Sequence, residues 1–154
     1  MPKGRARILL VDDDKKTCAT LSLILSTRGY DIDVADNGKE ALEISKSKTY
    51  NLAVLDVKLP DVEGTKLLRT MQETSPETVR IMLTGYPDLQ NKIDAFKNGA
   101  SAYFIKPVDP ARLIKMIEEK LEEQRDLKTS EKLVHASSKS PNQLKTSSRS
   151  KLFS

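Results

Sequence analysis

Residues 8–14 read Ile-Leu-Leu-Val-Asp-Asp-Asp: four apolar side chains in a row, then three carboxylates. A strand with one solvated face alternates apolar and polar residues, whereas a strand covered on both faces reads as an apolar run. The stretch Arg5–Val11 is therefore a buried strand that ends abruptly at Asp12. Working outward, Asp31–Ala35, Leu52–Leu55, Val79–Leu83 and Ala102–Ile105 have the same character. Each reads as a short strand sandwiched between layers.

Between the strands lie helical periods. Cys18, Leu21, Ser22 and Leu25 share a face, as do Gly64, Leu67, Leu68 and Met71. Leu89, Ile93, Phe96 and Ala100 form a third stripe, and Leu113, Ile114, Ile117 and Leu121 a fourth. Asp36-Asn-Gly38 turns the chain into a short helix carrying Ala41 and Leu42, and Gly29 and Gly99 stand where helices should stop. Five strands and five helices alternating within residues 1–125 predict an α/β fold. The expected architecture is a doubly wound parallel sheet with right-handed crossovers and helices on both faces.

In such a sheet, ligands sit beyond the carboxyl ends of the strands. Those ends carry Asp12, Asp13 and Asp14, then Asp56, then Thr84-Gly85, then Lys106-Pro107. Clustered carboxylates repel one another unless one takes a proton or a cation sits among them. Oxygen donors alone favour a hard cation such as Mg²⁺. A carboxylate beside it can act as a nucleophile and form an acyl phosphate. A lysine and a hydroxyl would complete the set of groups that neutralise phosphoryl oxygens. Taken singly, each feature has a plainer reading: Asp14 as the cap of the first helix, Asp56 before Lys58-Leu-Pro60 as a turn former, Lys106 as a strand-end lysine. Their convergence on one sheet edge favours the chemical reading.

These motifs resemble the receiver domain of two-component response regulators, the CheY-like family. Ile8–Asp14, Leu52–Asp56 with Lys58-Leu-Pro60 and Gly64, Met82-Leu-Thr84-Gly85, and Tyr103-Phe-Ile-Lys106-Pro107 carry the likeness, in order, across residues 5–124. The resemblance implies the flavodoxin-like (βα)5 fold, with five parallel strands in the order 2-1-3-4-5. It implies Asp56 as phosphoacceptor. Mg²⁺ would be held by Asp13, Asp56 and the backbone carbonyl of Lys58, with Asp12 acting through water. Thr84 would close on the phosphoryl group, Lys106 would pair with it, and Tyr103 would turn inward as Thr84 moves. Lys106-Pro107 would be a cis peptide. Lys58 and Tyr86 occupy positions that influence phosphoryl lifetime in the family. The implied partners are a sensor histidine kinase or phosphotransfer protein and a downstream protein docking on the fourth helix, fifth strand and fifth helix. The expected role is signalling, not enzymatic turnover, apart from Mg²⁺-dependent self-phosphorylation and autodephosphorylation.

Two other functions fit parts of the pattern. Asp12-x-Asp14 after a strand resembles the opening of haloacid dehalogenase-like phosphohydrolases, with Asp12 as nucleophile; Lys16 stands where that motif has Thr or Val, and the later acidic pair is missing. A flavin carrier of similar fold would need a hydroxyl-rich phosphate loop after the first strand, which the three aspartates replace.

Composition bounds the rest. The 154 residues are 38% hydrophobic and 31% charged, with a net charge of +4. All of that excess lies in residues 126–154, which hold six basic and two acidic side chains. From Thr129 onward serine recurs and no period is visible, so 126–154 is expected to be a disordered, Ser/Lys-rich basic tail. It reads as a solubilising extension, with weak contact to anionic partners as the alternative. No unit after residue 125 has a core of its own, so a stand-alone receiver without a DNA-binding domain is expected. No apolar run approaches the ~20 residues of a membrane span, and no secretory signal precedes the first strand. One cysteine, Cys18, excludes an internal disulfide, and a single histidine, His135, excludes most histidine chemistry. A reducing, cytoplasmic setting follows as the expectation.

Overall fold

The computed structural model describes residues 5–137. Five strands and five helices alternate: β1 (Arg7–Val11), α1 (Lys15–Thr27), β2 (Asp31–Ala35), α2 (Gly38–Ser47), β3 (Leu52–Asp56), α3 (Gly64–Thr74), β4 (Val79–Thr84), α4 (Leu89–Lys97), β5 (Ala102–Ile105) and α5 (Pro110–Ser137). All strand pairings are parallel, in the order β2-β1-β3-β4-β5. This is the order the resemblance implied.

The apolar runs become the middle layer of a sandwich because successive side chains point to opposite faces. Leu9, Val11, Ala53, Leu55 and Met82 pack with Ala41, Leu67, Leu68, Met71 and Ala95 of α2, α3 and α4. Ile8, Leu10, Leu52, Val54, Ile81 and Leu83 pack on the other face with Leu21 and Leu25 of α1 and Leu113, Ile114, Ile117 and Leu121 of α5. Asp14 caps α1, its carboxylate accepting from the Lys16 N–H at 3.0 Å and the Thr17 N–H at 3.4 Å. Gly29 and Gly99 follow the ends of α1 and α4 with φ of +91° and +94°, the left-handed region where a glycine is favoured. At the sheet's amino-terminal edge the buried Arg80 guanidinium donates to the carbonyls of Ser75 at 3.1 Å and Gly99 at 3.3 Å, just past the ends of α3 and α4.

Two expectations are corrected. Of the stripe Leu89, Ile93, Phe96 and Ala100, only Ala100 is buried; Leu89 and Phe96 are 74% and 46% exposed. The α4 helix packs through Ala95 instead, whose small side chain lets the helix sit close to the sheet. The second correction concerns the expected disordered tail. Residues 126–137 are helical, because α5 runs on to Ser137 and the expected boundary at 125 falls inside it. Between Pro110 and Ser137 the sequence has no further glycine or proline and is rich in Leu, Glu, Lys and Arg, so nothing local stops the helix. His135 accordingly lies in the last turn of α5. The rest of the expected tail, 138–154, lies outside the described residues. The chain divides at Leu121/Glu122 into two units, and in the second Leu127, Leu133 and Val134 are exposed.

Candidate functional site

The parallel register decides where the polar residues meet. Val11 stands opposite Leu55, Asp56 opposite Leu83, and Thr84 opposite Ile105. The residues that end or follow these strands, Asp12, Asp13, Asp56, Thr84 and Lys106, therefore share one edge of the sheet. Asp12 and Asp56 are each only 6% exposed and Thr84 is fully buried, whereas Asp13 is exposed. A cleft of about 520 Å³ opens there, lined by Asp13, Asp56, Lys58, Leu59, Pro60, Gly85, Tyr86 and Lys106.

Lys106 reaches in from the end of β5. Its Nζ lies 2.7 Å from Asp12 Oδ2 and 3.4 Å from Asp56 Oδ2. Burial works to lower the pKa of this ammonium, but its hydrogen bonds and charge contacts with the two aspartates outweigh that and raise it. Asp12 Oδ1 accepts the N–H of Asp14 at 2.9 Å, and Asp56 Oδ1 accepts the N–H of Lys58 at 3.2 Å. Burial, reinforced by the negative charge of Asp12, pushes the Asp56 carboxyl up to about 6, against the opposing pull of Lys106 and the Lys58 N–H.

The fit to a cation follows from this balance. Asp12, Asp13 and Asp56 each offer a carboxylate oxygen, all within 4.8 Å of one another. The single positive charge of Lys106 does not offset three carboxylates. Oxygen-only donors, partly open to water, suit a hard divalent ion of the Mg²⁺ type.

Thr84 Oγ1 accepts the Tyr86 N–H at 2.9 Å, which leaves its hydroxyl proton free to donate elsewhere. The Tyr103 ring packs against the α3/α4 side of the core, and its buried hydroxyl has no hydrogen-bond partner among the described residues. Burial, with the charge of Asp88, raises its pKa. Lys106–Pro107 is a cis peptide. At the mouth of the cleft the Lys58 ammonium lies 4.5 Å from the centre of the Tyr86 ring, within cation–π range. Asp13, Asp56, Lys58, Tyr86 and Lys106 thus line one cleft, Asp12 and Thr84 are buried at the same sheet edge, and Tyr103 packs against the adjoining core.

Two residues there carry more than their sequence reading suggested. A Cβ on Gly64 would stand 2.1 Å from the Asp56 carbonyl oxygen and 2.7 Å from Val57 Cα. Only a glycine lets α3 start against the backbone that holds Asp56. Cys18, placed by its spacing on one face of the first helix, is buried and its thiol donates to the Asp12 carbonyl at 3.3 Å. Burial pushes that thiol up to about 11, so it is not a reactive thiolate.

Comparison with known proteins gives a consistent result. A family model described as the response regulator receiver domain matches residues 8–118. The chain is 33% identical over 111 residues to the cell cycle transcriptional regulator CtrA of Caulobacter vibrioides, covering 72% of this chain and 48% of that protein. It is 31% identical over 126 residues to the transcriptional regulatory protein ZraR of Salmonella typhimurium, covering 82% of this chain and 29% of that protein. It therefore spans about half the length of these relatives or less. Among solved structures, a CheY-like receiver domain protein from Methanospirillum hungatei matches with a TM-score of 0.79 and 41% identity, over 80% of this chain and 98% of that one. A response regulator from Burkholderia pseudomallei, solved with a phosphorylated aspartic acid, calcium ion and citrate, matches with a TM-score of 0.70 and 25% identity, over 82% of this chain and 74% of that one. Among the described residues no helix is long and apolar enough to cross a membrane.

Proposed function

The chain belongs to the response regulator receiver domain family, and from that premise we propose that it is a phosphorylation-driven signalling switch with Asp56 as its acceptor. A sensor histidine kinase or a phosphotransfer protein is the donor. An Asp56 carboxylate oxygen attacks the phosphorus of a phosphohistidine; the new O–P bond replaces the N–P bond, and the departing imidazole takes up a proton. The observation that carries this reading is the cleft: Asp56 lines it at the end of β3, whereas Asp12 is not among the lining residues and holds its Oδ2 2.7 Å from the Lys106 ammonium.

Asp13, Asp56 and the Lys58 carbonyl, with Asp12 acting through water, are the groups that would hold Mg²⁺. When bound, the ion supplies charge neutralisation for the phosphoryl oxygens. Lys106 transfers its contact from the acids to a phosphoryl oxygen, and the Thr84 hydroxyl donates to another. Movement of Thr84 couples to Tyr103 on the neighbouring strand, which stands opposite Met82, and so biases a two-state equilibrium. The readout is the face formed by α4, β5 and α5, where Leu89, Phe96 and Ile105 are exposed and would contact a downstream protein. On this reading the protein is a cytoplasmic signalling module, its chemistry limited to gaining and losing its own phosphoryl group.

The phosphohydrolase reading needs Asp12 as nucleophile. Treating the protein with acetyl phosphate or beryllofluoride and Mg²⁺, then mapping the adduct by peptide mass spectrometry, separates the two. An adduct on Asp56 supports the switch; one on Asp12 replaces it with the hydrolase.

A further inference from the structure

The loop Val57–Glu63 leaves the acceptor and carries the Lys58 carbonyl. Its two ends are tied to each other: the Gly64 N–H donates to the Val57 carbonyl, and Lys58 and Glu63 form an isolated antiparallel bridge. Its tip is held by a different element. The Asp61 carboxylate accepts the Gly38 N–H at 2.8 Å through Oδ1 and the Lys39 N–H at 2.9 Å through Oδ2. These are the first two backbone donors of α2, which have no partner within a helix. The third, on Glu40, goes to the helix's own cap, Asn37, at 2.8 Å. Beside this fork Val62 packs so closely on Gly38 that a Cβ there would stand 2.3 Å from Val62 Cγ1. The Gly38 and Lys39 donors hold the Asp61 carboxyl below the usual carboxylate range.

A carboxylate one residue after Pro60, in the loop beside three aspartates, invites reading as a fourth metal ligand. The geometry spends it elsewhere, and Asp61 is not among the acids that gather within 4.8 Å. We infer that Asp61 is a positioning residue for the cation site: by clamping the loop tip to the start of α2, it fixes the height of the Lys58 carbonyl relative to Asp13 and Asp56. This inference rests on the proposed function, because that reading makes the Lys58 carbonyl a ligand.

The test compares two variants that each strip donors' partners from the same helix end. Asp61→Ala removes the clamp, whereas Asn37→Ala removes a cap without touching the loop. Mg²⁺ affinity is measured by calorimetric titration, thermal stability alongside it, and amide exchange at Lys58 by NMR. Asp61→Ala should weaken Mg²⁺ binding about tenfold, the lower end of outer-shell effects, and speed exchange at Lys58. Asn37→Ala should lower the melting temperature with Mg²⁺ affinity unchanged. Asp61→Asn, which keeps the shape and one acceptor, should fold and fall between wild type and Asp61→Ala. Equal Mg²⁺ affinity in wild type and both Asp61 variants overturns the inference while leaving the proposed function standing. Equal weakening in Asn37→Ala overturns it too, by assigning the effect to a frayed helix. A wild type that binds no Mg²⁺ overturns the proposed function and this inference together.

Discussion

Lys106 pairs first with Asp12: its ammonium lies 2.7 Å from that acid's Oδ2, against 3.4 Å to Asp56. The cation at this edge therefore leans toward an acid that the proposed chemistry does not phosphorylate. Phosphorylation of Asp56 would draw it across, and that transfer links the acceptor's state to the position of β5.

Lys106→Ala should leave Mg²⁺ binding in place but reduce phosphorylation-dependent partner docking at least tenfold. Thr84→Ala should behave alike, whereas Thr84→Ser, which keeps the oxygen that accepts the Tyr86 N–H, should retain docking. Calorimetry for the ion and pull-down of the phosphorylated protein check the split. Normal docking in Lys106→Ala and Thr84→Ala would remove both roles.

The raised Asp56 carboxyl makes a signed pH prediction. With a folded pKa near 6, above the ordinary carboxylate range, its neutral form favours folding at low pH, and that stabilisation is lost as pH rises through about 6. In EDTA, Asp56→Asn should therefore gain about 1–2 kcal/mol over wild type between pH 4 and pH 8, a figure discounted from the full shift for solvent screening. It should also take up no phosphoryl group. Chemical denaturation at the two pH values checks the first effect, and radiolabelled donor the second.

Gly64→Ala forces a methyl group into the Asp56 carbonyl. A loss of about 3 kcal/mol is expected, the upper end for overpacking, together with slower phosphoryl uptake from a displaced acceptor. Urea denaturation at constant m-value measures it.

Tyr50→Phe keeps a buried ring but loses the hydroxyl that donates to Asp33 Oδ2 at 2.5 Å. About 1.5–3 kcal/mol should be lost at pH 7, as for other hydrogen bonds to a charged group. That hydrogen bond lowers the Asp33 pKa, so the stabilisation is present above the ordinary carboxylate range and fades as pH falls through the depressed value. A gap between Tyr50→Phe and wild type that is as large at pH 2 as at pH 7 would contradict this origin.

Much of this fold and site is legible in the sequence. Apolar runs carry the signature of strands covered on both faces, and in a parallel sheet every strand's carboxyl end lies on one rim, so Asp12, Asp56, Thr84 and Lys106 could be gathered from the sequence alone. The stripe Leu89, Ile93, Phe96 shows the limit. Spacing says which side chains share a helix face, but not whether the sheet or the solvent receives that face, and here a single alanine decides. The α5 extension was hidden by composition: serine and lysine were read as disorder, while 126–137 contains no residue that ends a helix. Asp61 was missed because its partners, two backbone amides on α2, leave no side-chain signal. In the sequence only the glycine of the Asp36-Asn-Gly38 turn hints that something approaches there.

Arg80 has a mechanical consequence. Its guanidinium ties together the trailing ends of α3 and α4 by the carbonyls of Ser75 and Gly99; the start of α3 is held as well, by the Gly64 N–H on the Val57 carbonyl, so the leading end of α4 is the one expected to travel. The α4 helix would then act as a lever about that tie, its displacement growing with distance from it. Amide exchange at Asn98 and Ala100 should stay slow in both signalling states while that at Leu89–Lys92 changes; quickening at the pinned end would show that the whole helix shifts as a body.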